Sequence, residues 1–488
     1  MTAGSADSAT ARVEAEAHRL YFDQRDWASA LTLWQVRQAT SAPSIESRLA
    51  VAHCRIELGR SPSADAPSPA ADAPSTGWRD RYVELIRARA HDWLGLGDGT
   101  RAAALCRLIA EVDPAIRQIY DRAILPPGDA GDGFARPIDP APLPFERDRP
   151  GPLDQAAVLA RHAGRRVLLA IRQYSHTGRS LYLADFHRDF EDSARALGIT
   201  TASLESHPQP GDDTAGFPAA LRAALDAFRP DIVLVDDMMA SGASADPAVA
   251  PAVRELLETA RRSQGTRLVY TYPDSWHDQL APVIAEALLS ADLVHVSHPG
   301  LRARLAPRRT DTLWCYPPPI TDPRGPEPAL VPRRLRAAVA GRINWSNASR
   351  LVWWSELARS GLPVDLYPTV YGHERTPAEY ADLLSGHAVT LNFTERTNGI
   401  GILTARTIEA LLHESLLLEQ QCDDTAYFLR PFEHYVPFAT LAELSARLAR
   451  VLDDAPLRER IAAAGAAWAR RHFGAAPFWA RLLALLYG

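Results

Sequence analysis

Residues 389–438 read VTLNFTERTNGIGILTARTIEALLHESLLLEQQCDDTAYFLRPFEHYVPF. The run Val389–Asn392, short and β-branched at its start, enters a glycine-containing loop, and an apolar pattern of helical period opens at Thr404. A second apolar run, Leu416–Glu419, ends on an acid and leads into another acidic loop that reaches Tyr435. Strand, helix and strand in so short a span describe two parallel strands joined by a crossover helix. In such a sheet the carboxyl ends of strands and the amino ends of helices share one edge, where free N–H groups and positive dipole favour an anionic ligand.

The alternation extends in both directions. Upstream in the same lobe, Ala337–Ala340 and Val364–Tyr367 read as strands, with helices at Asn347–Ser360, Pro377–Ser385, Thr404–His413 and Leu441–Leu452. Beyond a proline-rich break at Pro317–Pro332 six more runs appear: Val167–Ile171, Thr201–Leu204, Ile232–Val235, Leu268–Tyr272, Leu293–Val296 and Thr312–Cys315. Helical patterns such as Leu181–Leu197 and Val249–Arg262 separate them. The expected fold class is therefore α/β, with two Rossmann-like lobes facing a cleft. The lobes are expected at 153–325 and 326–488, the second ending in a helix that crosses back to the first. That final segment, Trp468–Tyr487, mixes arginine with Trp, Phe and Leu and would also suit an amphipathic anchor.

Before the first lobe the pattern is helical, from residue 11 to 125, with a proline-rich linker at 126–152. Ala15–Val36 and Ile45–Leu58 carry apolar residues at three- and four-residue spacing, and Gly59 is a stop signal. Ala88–Pro114, reading ARAHDWLGLGDGTRAAALCRLIAEVDP, resembles a tetratricopeptide repeat, and Ala17–Gly59 resembles another. The resemblance implies stacked helical hairpins whose concave face recognises a protein acceptor or partner. Ser61–Thr76, rich in Pro, Ala and Ser, reads as an insertion between them.

Composition narrows the chemistry. The 488 residues are 47% hydrophobic and 23% charged, a balance that buries substantial cores, and the formal charge of −6 leaves no overall basic field for nucleic acid or an anionic bilayer. The chain contains no lysine, so all 53 basic residues are arginine. That excludes the phosphate-binding Gly-Lys loop, the strand lysine of kinases, and amine nucleophiles such as those of pyridoxal enzymes. Any phosphate must be met by arginine, backbone N–H groups or helix amino ends. Cys54, Cys106, Cys315 and Cys422 are far apart, which argues against zinc, a redox dithiol or a disulfide framework. With no secretory start and no long apolar run, residence in the cytoplasm is expected.

Within the opening segment, Asn398-Gly399-Ile400-Gly401 permits close approach of backbone to a ligand, and Arg406 in the first turn of the Thr404 helix adds a guanidinium suited to phosphate. Glu409 lies on the same helix face and leans back toward the amino end, where it can accept ribose hydroxyls. The same spacing also suits an ordinary surface ion pair, worth a few tenths of a kcal/mol. Gly341-Arg342, ending the first strand of this lobe, would face the same phosphates or form a plain strand-end turn.

With the tail ELSARLARVLDDAPLRERIAAAGAAWARRHF, this segment resembles the C-terminal lobe of GT-B glycosyltransferases, nearest to those related to the spore maturation protein CgeB. The resemblance implies that Arg406, Glu409, Glu419 and Asn392-Phe393 line a nucleotide-sugar pocket; Asn398, Gly399, Gly401, Thr404 and Arg342 are expected at the same ligand edge from their places at strand end, glycine loop and helix start. It implies transfer of a sugar from a nucleoside-diphosphate donor to an acceptor hydroxyl, on a protein or a cell-surface glycan, with no metal and no further cofactor. Larger GT-B families carry a Glu-x7-Glu pair; its first position here is Gly401, which leaves the stereochemical course open.

The first lobe offers Asp274-Ser275-Trp276-His277 after the strand Leu268–Tyr272, where Asp274 or His277 would serve as general base, or where Asp274 or Ser275 would simply cap a helix. His176-Thr177-Gly178-Arg179-Ser180 reads as a loop entering a helix, either facing the cleft or capped by Thr177 or Ser180. Asp236-Asp237 and Asp423-Asp424 read as solvated acids rather than metal ligands. Two alternatives remain: a nucleotide-sugar epimerase, and a non-catalytic scaffold that binds through its repeats. A dehydrogenase is disfavoured, since neither first-strand turn carries GxGxxG.

Overall fold

Long runs of Val, Leu, Ile and Ala flanked by helical segments pack into two separate parallel sheets. The computed structural model describes residues 3–40, 44–60, 76–126, 133–134, 138–139, 141–148, 153–171, 174–177, 180–183, 185–205, 216–236, 249–272, 288–301, 312–320, 332–343, 349–369, 375–396 and 399–488. In chain order the strands are β1 (Arg166–Ile171), β2 (Tyr174–Thr177), β3 (Ser180–Leu183), β4 (Thr200–Glu205), β5 (Ile232–Asp236), β6 (Arg267–Tyr272), β7 (Leu293–Val296) and β8 (Leu313–Cys315). The second lobe adds β9 (Arg334–Arg342), β10 (Val364–Thr369), β11 (His387–Asn392), β12 (Leu416–Gln420) and β13 (Val436–Phe438).

The first sheet runs β4-β1-β5-β6-β7-β8 and the second β10-β9-β11-β12-β13, all pairs parallel. Both orders reverse next to the first strand, so the second sheet has its topological switch point between β9 and β11, where ligands settle in open α/β sheets. β7, β11 and β12 are buried along their whole length, which explains their unbroken apolar character. Several strands exceed their apolar runs because polar residues such as Arg166, Thr200 and Arg334 join the ladder without a hydrophobic signal. β13 escapes the sequence reading because three residues carry no period.

Two expectations need correction. His176–Ser180 is a hairpin rather than a loop entering a helix: Thr177 pairs with Ser180 across β2 and β3, while Gly178 and Arg179 lie outside the described residues. Ala15–Val36 is interrupted, with helix Ala3–His18, a π turn to Gln24, Arg25 at a left-handed φ of 56°, and a new helix Trp27–Thr40. Within the proline-rich stretch before the first lobe, Phe145, on the short helix Pro144–Asp148, is buried against Phe428 and Phe473 at ring distances of 5.5 and 5.4 Å.

The cores cut across the chain order. The amino-terminal helices share one continuous core with the second sheet, and the helix Gly99–Ala110 lies so close to Ser349–Ser360 that a Cβ on Gly99 would collide with the Ala358 Cβ. The last helix, Ala475–Tyr487, leaves the second lobe and packs on the first: Trp479 Nε1 donates to Ser193 Oγ at 2.8 Å, and Arg165 sits 4.3 Å over the Tyr487 ring. No helix among the described residues is long and apolar enough to cross a membrane.

Candidate functional site

Three helices begin at the carboxyl edge of the second sheet, each fed by a strand: Ser349–Ser360 after β9, Pro377–Gly386 after β10 and Ala405–Leu412 after β11. Their early turns bring together Arg350, Tyr380 and Arg406. Tyr380 is fixed by a capping box, in which Thr376 accepts from the Glu379 N–H and Glu379 accepts from the Thr376 N–H at 2.8 Å.

The Ala405–Leu412 helix starts at Thr404 without a side-chain cap. Instead the Thr404 hydroxyl accepts from Asn392 Nδ2 at 2.8 Å, which ties the helix start to the end of β11. Arg406 spans the switch point. Its Nη1 donates to Asn392 Oδ1 at 3.2 Å, its Nε donates to the Tyr380 hydroxyl at 3.1 Å, and Tyr380 in turn donates to Glu409 Oε2 at 3.0 Å. Gly341, at the end of β9, makes room for this: its φ of 141° suits only glycine, and a Cβ there would lie 2.9 Å from Arg406 Nη2 and 3.3 Å from Arg350 Nη1.

The electrostatics are one-sided at Arg350. Burial, and then the nearby Arg406 and Arg396 guanidiniums, push its pKa well below the ordinary arginine value. Its Nη2 donates to the Phe393 carbonyl at 3.1 Å and its Nη1 to the Arg342 carbonyl at 3.3 Å, so it also closes the ends of two strands. For Arg406 burial works against the charge, yet Tyr380, Glu409 and Glu419 outweigh it and hold the pKa above the usual value.

Glu419, at the end of β12, is wholly buried and ringed by donors: Asn392 Nδ2 at 2.8 Å, Thr407 Oγ1 at 2.7 Å and the Thr425 hydroxyl. Burial raises its pKa although those hydrogen bonds and Arg406 oppose the rise. Its carboxylate faces inward and holds strand and helix in register. Phe393 also faces inward, between Trp353 and Phe438.

The loop after β11 is tightly folded. Glu395 pairs with Gly401, Arg396 N donates to the Ile400 carbonyl, and Gly399 takes a φ of 79° that admits its N–H to the Arg396 carbonyl. Gly401 packs against Cys422. Asn398 lies outside the described residues, as do Asp274 and His277 in the first lobe.

The structure thus gathers Arg406, Glu409, Asn392, Thr404 and the Gly341-Arg342 strand end around one switch point. Arg350, Arg396 and Tyr380 join them unforeseen by sequence. Their signal was position alone: Arg350 and Tyr380 stand in the first turns of the helices that follow β9 and β10, and Arg396 in the loop that follows β11. From the first lobe His298, just beyond β7, reaches Asp424 beside this site, Nδ1 to Oδ2 at 2.5 Å.

A glycosyl transferase-like family profile matches residues 327–484, the whole second lobe with most of its final helix. No curated protein matches the chain. Among solved structures, the Anabaena protein HepE in complex with UDP-glucose is similar at 11% identity and a TM-score of 0.43, over 64% of this chain and 98% of that one. Sucrose-phosphate synthase from Thermosynechococcus elongatus is similar at 12% identity and a TM-score of 0.46, over 66% and 99%. AviGT4, a glycosyltransferase of avilamycin A biosynthesis, is similar at 16% identity and a TM-score of 0.43, over 66% and 97%. Residues 327–484 thus form a glycosyl transferase-like domain, the second of two parallel-sheet lobes arranged as in the GT-B fold.

Proposed function

We propose that the second lobe binds the diphosphate of a nucleoside-diphosphate sugar at the β9–β11 switch point and that an acceptor hydroxyl attacks from the first-lobe side. The observation that carries this reading is the convergence of Arg350, Arg396 and Arg406, with the Arg350 charge disfavoured by burial and by its two like neighbours. An anion bound there relieves that repulsion, and guanidinium forks match phosphate oxygens. In a chain without lysine, arginine is the cation available for the task.

In this reading Arg406 grips phosphate, Glu409 accepts ribose hydroxyls, and Asn392 and Glu419 hold the Thr404 helix start against β11. Arg342, Asn398, Gly399 and Gly401 form the rim. Asp274 or His277 removes the acceptor proton. The arginines and the helix amino end neutralise the leaving diphosphate, so no metal and no further cofactor is assigned. The nearest relatives we propose are CgeB-like enzymes, with tetratricopeptide-like helices ahead of the lobes, a protein or glycan acceptor, and a cytoplasmic place of work.

The test is a thermal-shift panel of nucleoside diphosphates and their sugars on the full chain, since a ligand of the folded state raises Tm, and by more the tighter it binds. At least one is expected to stabilise the parent and not Arg406→Ala. Stabilisation that survives Arg406→Ala would refute the assignment. Product analysis with and without acceptor separates transfer from epimerisation.

A further inference from the structure

The amino-terminal helices press on the donor lobe rather than reaching away from it, at two places of different character. At the first, Arg107 and Tyr120 converge on Glu356, a fully buried carboxylate in the Ser349–Ser360 helix, with Arg107 Nε at 3.1 Å and the Tyr120 hydroxyl at 3.3 Å. That contact joins helix to helix. At the second, Arg122 donates to Glu395, and Glu395 is not in a helix: it opens the loop that carries Arg396, Gly399 and Gly401.

Glu395 is only 6% exposed and is tied on every side. Its Oε2 accepts from Gln420 Nε2 at 3.0 Å, its N–H donates to Gln420 Oε1 at 3.2 Å, and its carbonyl accepts from Ser349 Oγ at 3.1 Å. Gln420 directly follows Glu419. The carboxylate therefore links the end of β12, the Ser349 helix and the glycine loop, and the cation beside it belongs to the helical module. A buried carboxylate without its partner would pull toward water and take the loop with it.

We propose that Arg122 is a positioning residue of the donor site, acting through Glu395 on the loop that carries Arg396, so that the helical module forms a wall of the nucleotide pocket. The proposal rests on the donor-site reading above. Its geometry makes the module part of the catalytic unit in addition to any acceptor role.

The experiment measures affinity for the nucleoside diphosphate that most stabilises the parent in a panel of ADP, GDP, UDP, CDP and dTDP, in full-length Arg122→Ala, Arg122→Lys, Arg107→Ala and Arg406→Ala. Hydrogen exchange over residues 394–402 is followed in the same proteins without ligand. Arg122→Ala is expected to weaken binding about five- to tenfold and to speed exchange in the loop, with Arg122→Lys restoring part of both. Arg107→Ala is expected to lower Tm with affinity kept, because Glu356 touches no part of the loop. Equal affinity in Arg122→Ala and parent, or an equal loss in Arg107→Ala, would overturn the proposal. Binding that persists in Arg406→Ala, or no binding by the parent, would instead remove the donor-site reading, and this proposal with it.

Discussion

Both sheets bury a polar side chain near the carboxyl ends of their inner strands, and the two have different surroundings. In the first sheet His295, on β7, lies between the Thr271 hydroxyl at 2.8 Å and the Tyr316 carbonyl at 2.9 Å, and burial lowers its pKa to about 4. It is a neutral residue completing a core. In the second sheet Glu419 takes hydroxyl and amide donors, and guanidiniums crowd the switch point beside it. Desolvation pushes both groups toward their neutral forms, and in the second sheet hydrogen-bond donors and Arg406 oppose that push.

The contrast is broken or sharpened by substitution. Arg406→Ala carries the largest expected effect, a loss of sugar transfer of about a hundredfold or more under the proposal that Arg406 grips the leaving diphosphate; single-turnover kinetics with saturating acceptor measure it. Glu419→Gln comes next. A glutamine offers one acceptor oxygen where the carboxylate offers two, so about 1–3 kcal/mol of stability is expected to be lost in denaturant titration, together with part of the nucleotide affinity.

His295→Leu is expected to cost a similar or smaller stability, about 1–3 kcal/mol, by stranding Thr271 and the Tyr316 carbonyl. Nucleotide affinity should stay at the parent value, and a change in it would erase the distinction between the two sheets.

The smallest effect is in pH. The His295 pKa is lower folded than unfolded, so the unfolded chain takes up the proton first and stability falls as pH drops from about 6.5 to about 4. Above about 6.5 its contribution is complete. Melting curves across that range should show the fall in the parent and a shallower one in His295→Leu.

Much of the fold was legible because parallel strands buried on both faces cannot avoid apolar runs, as Val389–Asn392 and Leu416–Glu419 show. Their polar extensions were not, and neither was the β2–β3 hairpin, whose YSHT and SLYL carry little alternation. In the site, the shared helix face of Arg406 and Glu409 followed from spacing. Tyr380, which bridges them, comes from another helix, and no periodicity relates residues 26 positions apart. Arg350 was hidden by its setting among Leu351, Trp353 and Trp354, which reads as a helix bound for the core.

Sequence by itself determined the tandem α/β lobes, the reliance on arginine and the edge where strand ends and helix starts meet, because these follow from local period, composition and the geometry of parallel strands. Tertiary structure alone decided which arginines meet at that edge, that Glu419 turns inward, and that the amino-terminal helices lie against the second lobe. Those outcomes depend on contacts between segments distant in the chain, whose energies arise only once two cores have closed around them.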